Sequence, residues 1–178
     1  MIEQVKSPRF LTLTLLVLAA ACTRALPLLI PHVWNFTAIG ALAVFAGSQF
    51  KNRYAAMIMP LAAMALSDLF LGHGFIKTVY AGFIVMVLCG MFIRNKVSVT
   101  NVGFASIAGA LAFFLITNFA LLYSEAQYPH TLGGVITSYV MALPFLRNML
   151  IGDVVYGAIL FGSFYYLQKR YPSIAYSK

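Results

Sequence analysis

Apolar residues come in long unbroken runs, and polar residues are confined to short knots between them. The runs cover about residues 10–30, 36–50, 54–71, 75–93, 102–123 and 148–167. A hydrocarbon core about 30 Å thick takes roughly 20 such residues as a helix. The pattern therefore predicts an all-α polytopic membrane bundle of six transmembrane helices, with residues 1–178 forming a single integral membrane domain. Residues 131–143 are semi-apolar and too short to span, and Pro144 follows them. Proline lacks the amide proton that a helix interior needs. A short partial helix is expected there before the last span, or a seventh crossing if neighbouring helices assist.

Composition agrees. The chain is 62% hydrophobic and 9% charged, with a mean hydropathy of +0.89, whereas soluble domains carry roughly 25% charged residues. The net charge of +8 belongs to loops, not to a nucleic-acid surface, because basic residues mark the cytoplasmic side of membrane proteins. With the N-terminus in the cytoplasm, nine of the twelve basic residues lie inside: Lys6, Arg9, Lys51, Arg53, Arg94, Lys96, Lys169, Arg170 and Lys178. Lys77 alone falls in an outer loop, and Arg24 and Arg147 lie at span ends. Six spans then return the C-terminus to the cytoplasm.

That orientation gathers the remaining chemistry on the outer side. Arg24 lies in the outer half of the first run, and His32, Trp34 and Asn35 form the knot after it. Asp68 and His73 close the third run, and Asn118 lies near the end of the fifth. Tyr128 and His130 occupy the following loop, while Arg147, Asn148 and Asp153 open the last run. Charges at membrane depth cost about 2.5–3.5 kcal/mol on insertion scales, so they face cavities and find partners. Two arginines match two aspartates, and the obvious pairs are Arg24 with Asp68 and Arg147 with Asp153. Asp153 also gains from the positive N-terminal end of its own helix. These twelve residues are the candidate ligand-binding set. Arg24 and Arg147 would hold anionic groups, and Trp34 and Tyr128 would stack on a planar ring.

Each residue also has a plainer reading. Arg24 and Asp68 can simply lock two helices together, Trp34 and Tyr128 can be interface-belt residues, and Asn118 can hydrogen-bond a neighbouring helix. Small residues at helical spacing (Gly40, Ala43 and Gly47; Ala21 and Ala25; Gly103, Ser106 and Ala110) permit close helix approach. No Gly-Lys-Ser/Thr phosphate loop is present and no metal-ligand spacing occurs. No catalytic residues, metal site or cofactor are therefore expected. Cys22 and Cys89 sit inside apolar runs and imply no disulfide framework.

Several motifs together carry a resemblance. They are Pro31-His32-x-Trp34-Asn35-Phe36-Thr37, Ser67-Asp68-Leu69-Phe70-Leu71-Gly72 and Thr117-Asn118-Phe119. Tyr128-Pro129-His130-Thr131-Leu132 and Pro144-Phe145-x-Arg147-Asn148-x-x-x-Gly152-Asp153 complete the set. They resemble a family of small, uncharacterised six-helix bacterial membrane proteins, itself similar to the substrate-binding S-components of energy-coupling-factor (ECF) vitamin transporters. The resemblance implies an uptake protein that binds a vitamin-like or zwitterionic solute in a pocket open to the periplasm. It also implies that a membrane scaffold protein and ATPases are separate chains. S-components dock their scaffold through Ala-x-x-x-Ala in the first span; the match here, Ala21 and Ala25, lies beside Arg24. The expected partners are thus the lipid bilayer, a small solute and such a module, with no nucleic acid. The rival readings are a non-transporting scaffold of the cell envelope and, more weakly, a membrane enzyme using His32, His73 or His130 as acid or base.

Overall fold

The structure is a computed structural model that describes residues 7–30 and 35–175, the side chains of Leu26 and Pro27 excepted. His32, Trp34, Lys6 and Lys178 lie outside the described residues. Among those described, every regular element is helical. α1 is Pro8–Cys22, continued by a 3₁₀ turn at Thr23–Ala25, and α2 is the short Leu26–Leu29. Then follow α3 (Ile39–Gln49), α4 (Arg53–Leu71), α5 (Lys77–Phe92), α6 (Val99–Thr117) and α7 (Leu132–Arg170).

Polar side chains at the run boundaries set the helix starts. Ser7 accepts the amide of Phe10, Asn52 those of Tyr54 and Ala55, Ser98 that of Asn101, and Thr131 that of Gly134. Each hydroxyl or amide oxygen satisfies an N–H that the first helical turn leaves unpaired. α4 stops at Gly72, whose φ of 68° is left-handed, and the turn sends the His73 amide back to the Asp68 carbonyl at 2.8 Å.

Four segments are long and apolar enough to cross a membrane: Pro8–Ala25, Arg53–Leu71, Val99–Thr117 and Leu132–Arg170. α3 has 11 residues and α5 has 16, about 16 and 24 Å at 1.5 Å per residue. Both fall short of the hydrocarbon thickness. One expectation is overturned. Residues 131–143 are not a separate partial helix, because α7 runs through Pro144 as one helix of 39 residues. It is about 58 Å long, nearly twice the core thickness. Proline removes one backbone hydrogen bond, and within a bundle neighbouring groups compensate. Pro60 is carried inside α4 in the same way.

α3 is the hub. It packs against α1, α4, α5, α6 and α7, and every residue from Gly40 to Gln49 is buried. Its small side chains allow this. A Cβ on Gly47 would collide with the carbonyl of Val87, and one on Gly90 with the carbonyl of Val44, so α3 and α5 cross backbone to backbone. Such contacts drive helix association where lipid is as apolar as leucine. Phe45 fills the α3–α7 interface between Phe161 and Phe164, edge to face at 5.1 and 5.6 Å.

The bundle's outside is greasier than its inside is large. In the most apolar window of each long segment only 22–28% of residues are buried. Phe70, Phe92, Phe104 and Val154 all stand exposed. A contiguous apolar exterior of this extent needs an apolar surrounding, which makes the molecule a membrane-protein-like helical bundle.

The two ends of the bundle differ. At one end Arg9 donates to the carbonyls of Gln49 and Ile174 at 2.9 and 3.0 Å and lies over the Phe164 ring at 4.9 Å. Arg94 donates to the carbonyls of Phe50 and Lys51 at 2.9 and 2.5 Å. Both guanidinium groups thus sit at the C-terminus of α3, where a cation complements the helix dipole. Arg53, Lys96, Lys169 and Arg170 belong to the helix ends grouped there. The opposite end carries Arg24, Asp68, His73 and Asn118.

Candidate functional site

The end opposite the basic cluster holds a cavity of about 560 Å³, within the roughly 300–1,000 Å³ of small-molecule sites. Its walls come from the α1–α2 junction, the approach to α3, and parts of α4, α5, α6 and α7.

The electrostatic centre is Asp68. Its buried carboxylate receives Arg24 Nη2 at 2.5 Å on one oxygen and the Tyr80 hydroxyl at 2.6 Å on the other. His73 Nδ1 stands 3.7 Å away at the rim, on the turn made by Gly72. Arg24 Nη1 donates further to the Met64 carbonyl at 3.1 Å and to Ser67 Oγ at 2.6 Å. The expected Arg24–Asp68 pair is present, and it ties the end of α1 to α4 and α5.

The α6 wall is made of groups that finish their own helix. Thr117 Oγ1 donates to the Phe113 carbonyl at 2.8 Å, and Asn118 Nδ2 donates to the Phe114 carbonyl at 2.9 Å and to Thr117 Oγ1 at 3.0 Å. Tyr123 swings back to donate to the Thr117 carbonyl at 2.8 Å. The Tyr123 bond occupies a carbonyl that the helix C-terminus leaves open, and the others add second bonds to carbonyls of the last turns. Asn118 therefore serves its own helix end, not a neighbouring helix. Apolar rings of Phe83, Phe113, Phe114 and Phe145 complete the cavity.

Of the candidate set, Arg24, Asn35, Asp68, His73 and Asn118 line this cavity. Asn35 stands on the turn before α3 with φ 61°, a conformation that asparagine tolerates better than most residues. His32 and Trp34 fall outside the described residues. Tyr128 and His130 stand behind the wall: the Tyr128 ring meets Tyr123 edge-on at 5.3 Å, and His130 Nε2 lies 3.1 Å from the Tyr123 carbonyl. They buttress a lining residue and do not line the cavity themselves.

The last helix requires the larger correction. Arg147 and Asp153 do not pair. Six residues apart on one continuous helix, they point about 120° away from each other. Arg147 is exposed beside a shallow groove with Pro144 and Ile151, while Asp153 is 3% exposed in the core. Asn148 is half-buried and outside the cavity lining.

Asp153 is also not in the first turns of its own helix, since α7 begins at Leu132. The helix end it meets belongs to α3. Its carboxylate lies against Gly40, where any Cβ would collide with it, and beside the Ala41 amide. No described residue gives it a hydrogen bond of good geometry. The N-cap of α3 is Ala38, which has no capping side chain. Thr23 accepts the Ala38 amide at 2.8 Å from across the bundle, and the Asp153 carboxyl group lies beside the amide of Ala41. Asp153 lies one turn beyond Met149, a lining residue, so it is beneath the cavity floor.

Tyr80, Tyr123, Thr37, Thr78 and Thr117 line the cavity and were absent from the candidate set. Tyr80 gave a faint signal as a hydroxyl inside a mostly apolar, glycine-bearing run, and Thr117 sits next to Asn118. Among the described residues no three His, Cys, Asp or Glu side chains converge to hold a metal ion.

Fold and site together define a helical membrane-protein-like bundle with a walled cavity at the end opposite the Arg9–Arg94 cluster. The chain belongs to a family of unknown function, DUF6580, whose profile matches residues 4–174. Comparison with curated proteins gives no match, and comparison with solved structures gives none either.

Proposed function

We propose that this chain is a small-molecule uptake protein of the bacterial inner membrane, S-component-like, with its cavity open to the periplasm. In this reading all six apolar segments belong to the membrane domain and both termini face the cytoplasm. α3 and α5 are too short to cross alone, and they rely on the surrounding helices to cover their ends. The observation that carries the reading is the separation of the two ends. Basic side chains cluster at one, as they do on cytoplasmic faces, and the walled cavity with its buried ion pair lies at the other.

Energy would come from separate scaffold and ATPase chains, as the resemblance implies, because the sequence has no nucleotide-binding loop. Ala21 is 6% exposed and packed in the chain's own core. Such a scaffold would therefore dock on a face other than Ala21 and Ala25. The apolar exterior, which a purely scaffolding role would use for partners, is already accounted for by lipid.

Two measurements test the reading. In a cysteine-free background, a membrane-impermeant maleimide should label His73→Cys from outside intact cells and Lys96→Cys only after permeabilisation. Native mass spectrometry of detergent-purified protein should detect a bound small molecule. Labelling in the opposite sense, or a cavity that no solute ever occupies, would sink the proposal.

A further inference from the structure

Resting on the same cavity as the uptake reading, we infer that its ligand is a neutral, ring-bearing molecule with hydrogen-bonding groups, and that anions are excluded. Arg24 is the permanent cation among the lining residues, and Asp68 answers its charge at 2.5 Å. Met64 and Ser67 take the other guanidinium end. An incoming carboxylate or phosphate would have to displace Asp68 or sit beside it, like charge against like. Arg147, the second cation expected to hold an anion, lies outside the cavity wall. The zwitterionic solute expected from the residues alone thus loses both of its anion anchors.

The hydrogen-bonding inventory points the same way. Tyr80 donates to Asp68, Tyr123 to the Thr117 carbonyl, Thr117 to the Phe113 carbonyl, and Asn118 to Phe114 and Thr117. A hydroxyl or amide whose hydrogens are committed still offers lone pairs. These groups leave lone pairs for a ligand, while Asn35, Thr37 and Thr78 on the same wall keep hydrogens to donate, so the matching ligand carries neutral polar groups such as hydroxyl or N–H. Between them stand Phe83, Phe113, Phe114 and Phe145, and rings prefer to pack on rings, offset or edge to face.

Three probes that share an indole ring and an ethylene linker and differ in the terminal group test this: tryptophol (hydroxyl), tryptamine (ammonium) and indole-3-propionate (carboxylate). Titration calorimetry on the detergent-purified full chain should show tryptophol binding saturably, at least tenfold more tightly than either charged analogue. Asp68→Asn should release Arg24 and improve indole-3-propionate relative to tryptophol by tenfold or more. Tyr80→Phe keeps the ring and frees an Asp68 oxygen, so it should improve tryptamine several-fold. If Asp68→Asn does not fold, the ranking on the native chain and the Tyr80→Phe result still decide.

A charged probe that equals tryptophol on the native chain overturns the inference, as does the absence of saturable tryptophol binding. Binding without any solute uptake in proteoliposomes would end the transport reading and leave the ligand class standing. A natural solute that proves to be an anion would do the reverse.

Discussion

The Asp153 carboxylate on α7 lies directly against the Cα of Gly40 in the first turn of α3. The contact needs a residue without a side chain on one helix and a short acid on the other. It joins the most buried helix of the molecule to the longest. It also places a carboxyl group at the N-terminus of α3, while Arg9 and Arg94 hold its C-terminus. Cations of the favourable sign therefore meet the C-terminal end of this 11-residue helix, and a polar group meets its N-terminal end.

Gly40→Ala should be destabilising, because the new methyl group has no room while Asp153 stays in place. Overpacking of this kind costs about 1–3 kcal/mol. Thermal unfolding in detergent should show a lowered Tm. In an Asp153→Ser background the same substitution should cost clearly less. Equal losses in both backgrounds would show that the two residues are not coupled.

Removing one partner of the Arg24–Asp68 pair should hurt more than removing both. Asp68→Ala leaves a guanidinium in a largely buried site, a class of change that costs about 3–5 kcal/mol. Arg24→Met with Asp68→Leu removes both charges and should recover most of that loss in the same Tm assay. A double variant as unstable as Asp68→Ala would mean that the site needs its polarity and not merely charge balance.

Glycines should fall into two groups. Gly90→Leu drives a side chain into the α3 backbone at Val44 and should abolish the monodisperse folded species on size exclusion. Gly103 and Gly162 lie inside helices with nothing within 4 Å of an added Cβ. Alanine at either should be neutral or stabilising, by up to about 1 kcal/mol. A destabilised Gly103→Ala variant would contradict the helix packing described for α6.

Arg9→Lys should be weaker than its charge suggests. The guanidinium reaches two carbonyls and one aromatic face at once, and an ammonium cannot reproduce that fork. A loss of about 1–3 kcal/mol is expected, by analogy with other charged hydrogen bonds. Binding of tryptophol at the far end should be unchanged. A change in affinity without a change in Tm would point to coupling between the ends of the bundle.

The helices themselves were legible, and the reason is particular. Runs ending at Lys51-Asn52-Arg53, Gly72-His73-Gly74 and Arg94-Asn95-Lys96 are bounded by residues that cap or leave a helix, so α4 and α5 lie within two residues of their expected bounds. Pro144 was misleading. Pro60 inside the third run was a warning that proline is tolerated in this bundle, and only the continuity of α7 shows that both are carried through. Part of the site was legible for a similar reason: Arg24 and Asp68 are ionised groups in apolar runs, and such groups must find each other. Tyr80, Thr37 and the phenylalanines carry no such compulsion and stood out little among many similar residues.

What the amino-acid order decides alone is the class of molecule, the position of nearly every helix and the unequal charge of its two ends. Those follow from local hydrophobicity and from residues that begin or stop a helix. Which charges meet was decided by tertiary packing. Arg147 and Asp153 are near in sequence yet diverge around one helix, while Asp153 and Gly40 are far apart in the chain and touch. Direction around a helix axis and the approach of distant backbones depend on how whole helices pack, and that packing turns Asp153 toward the end of α3 and leaves Arg24 neutralised in the cavity wall.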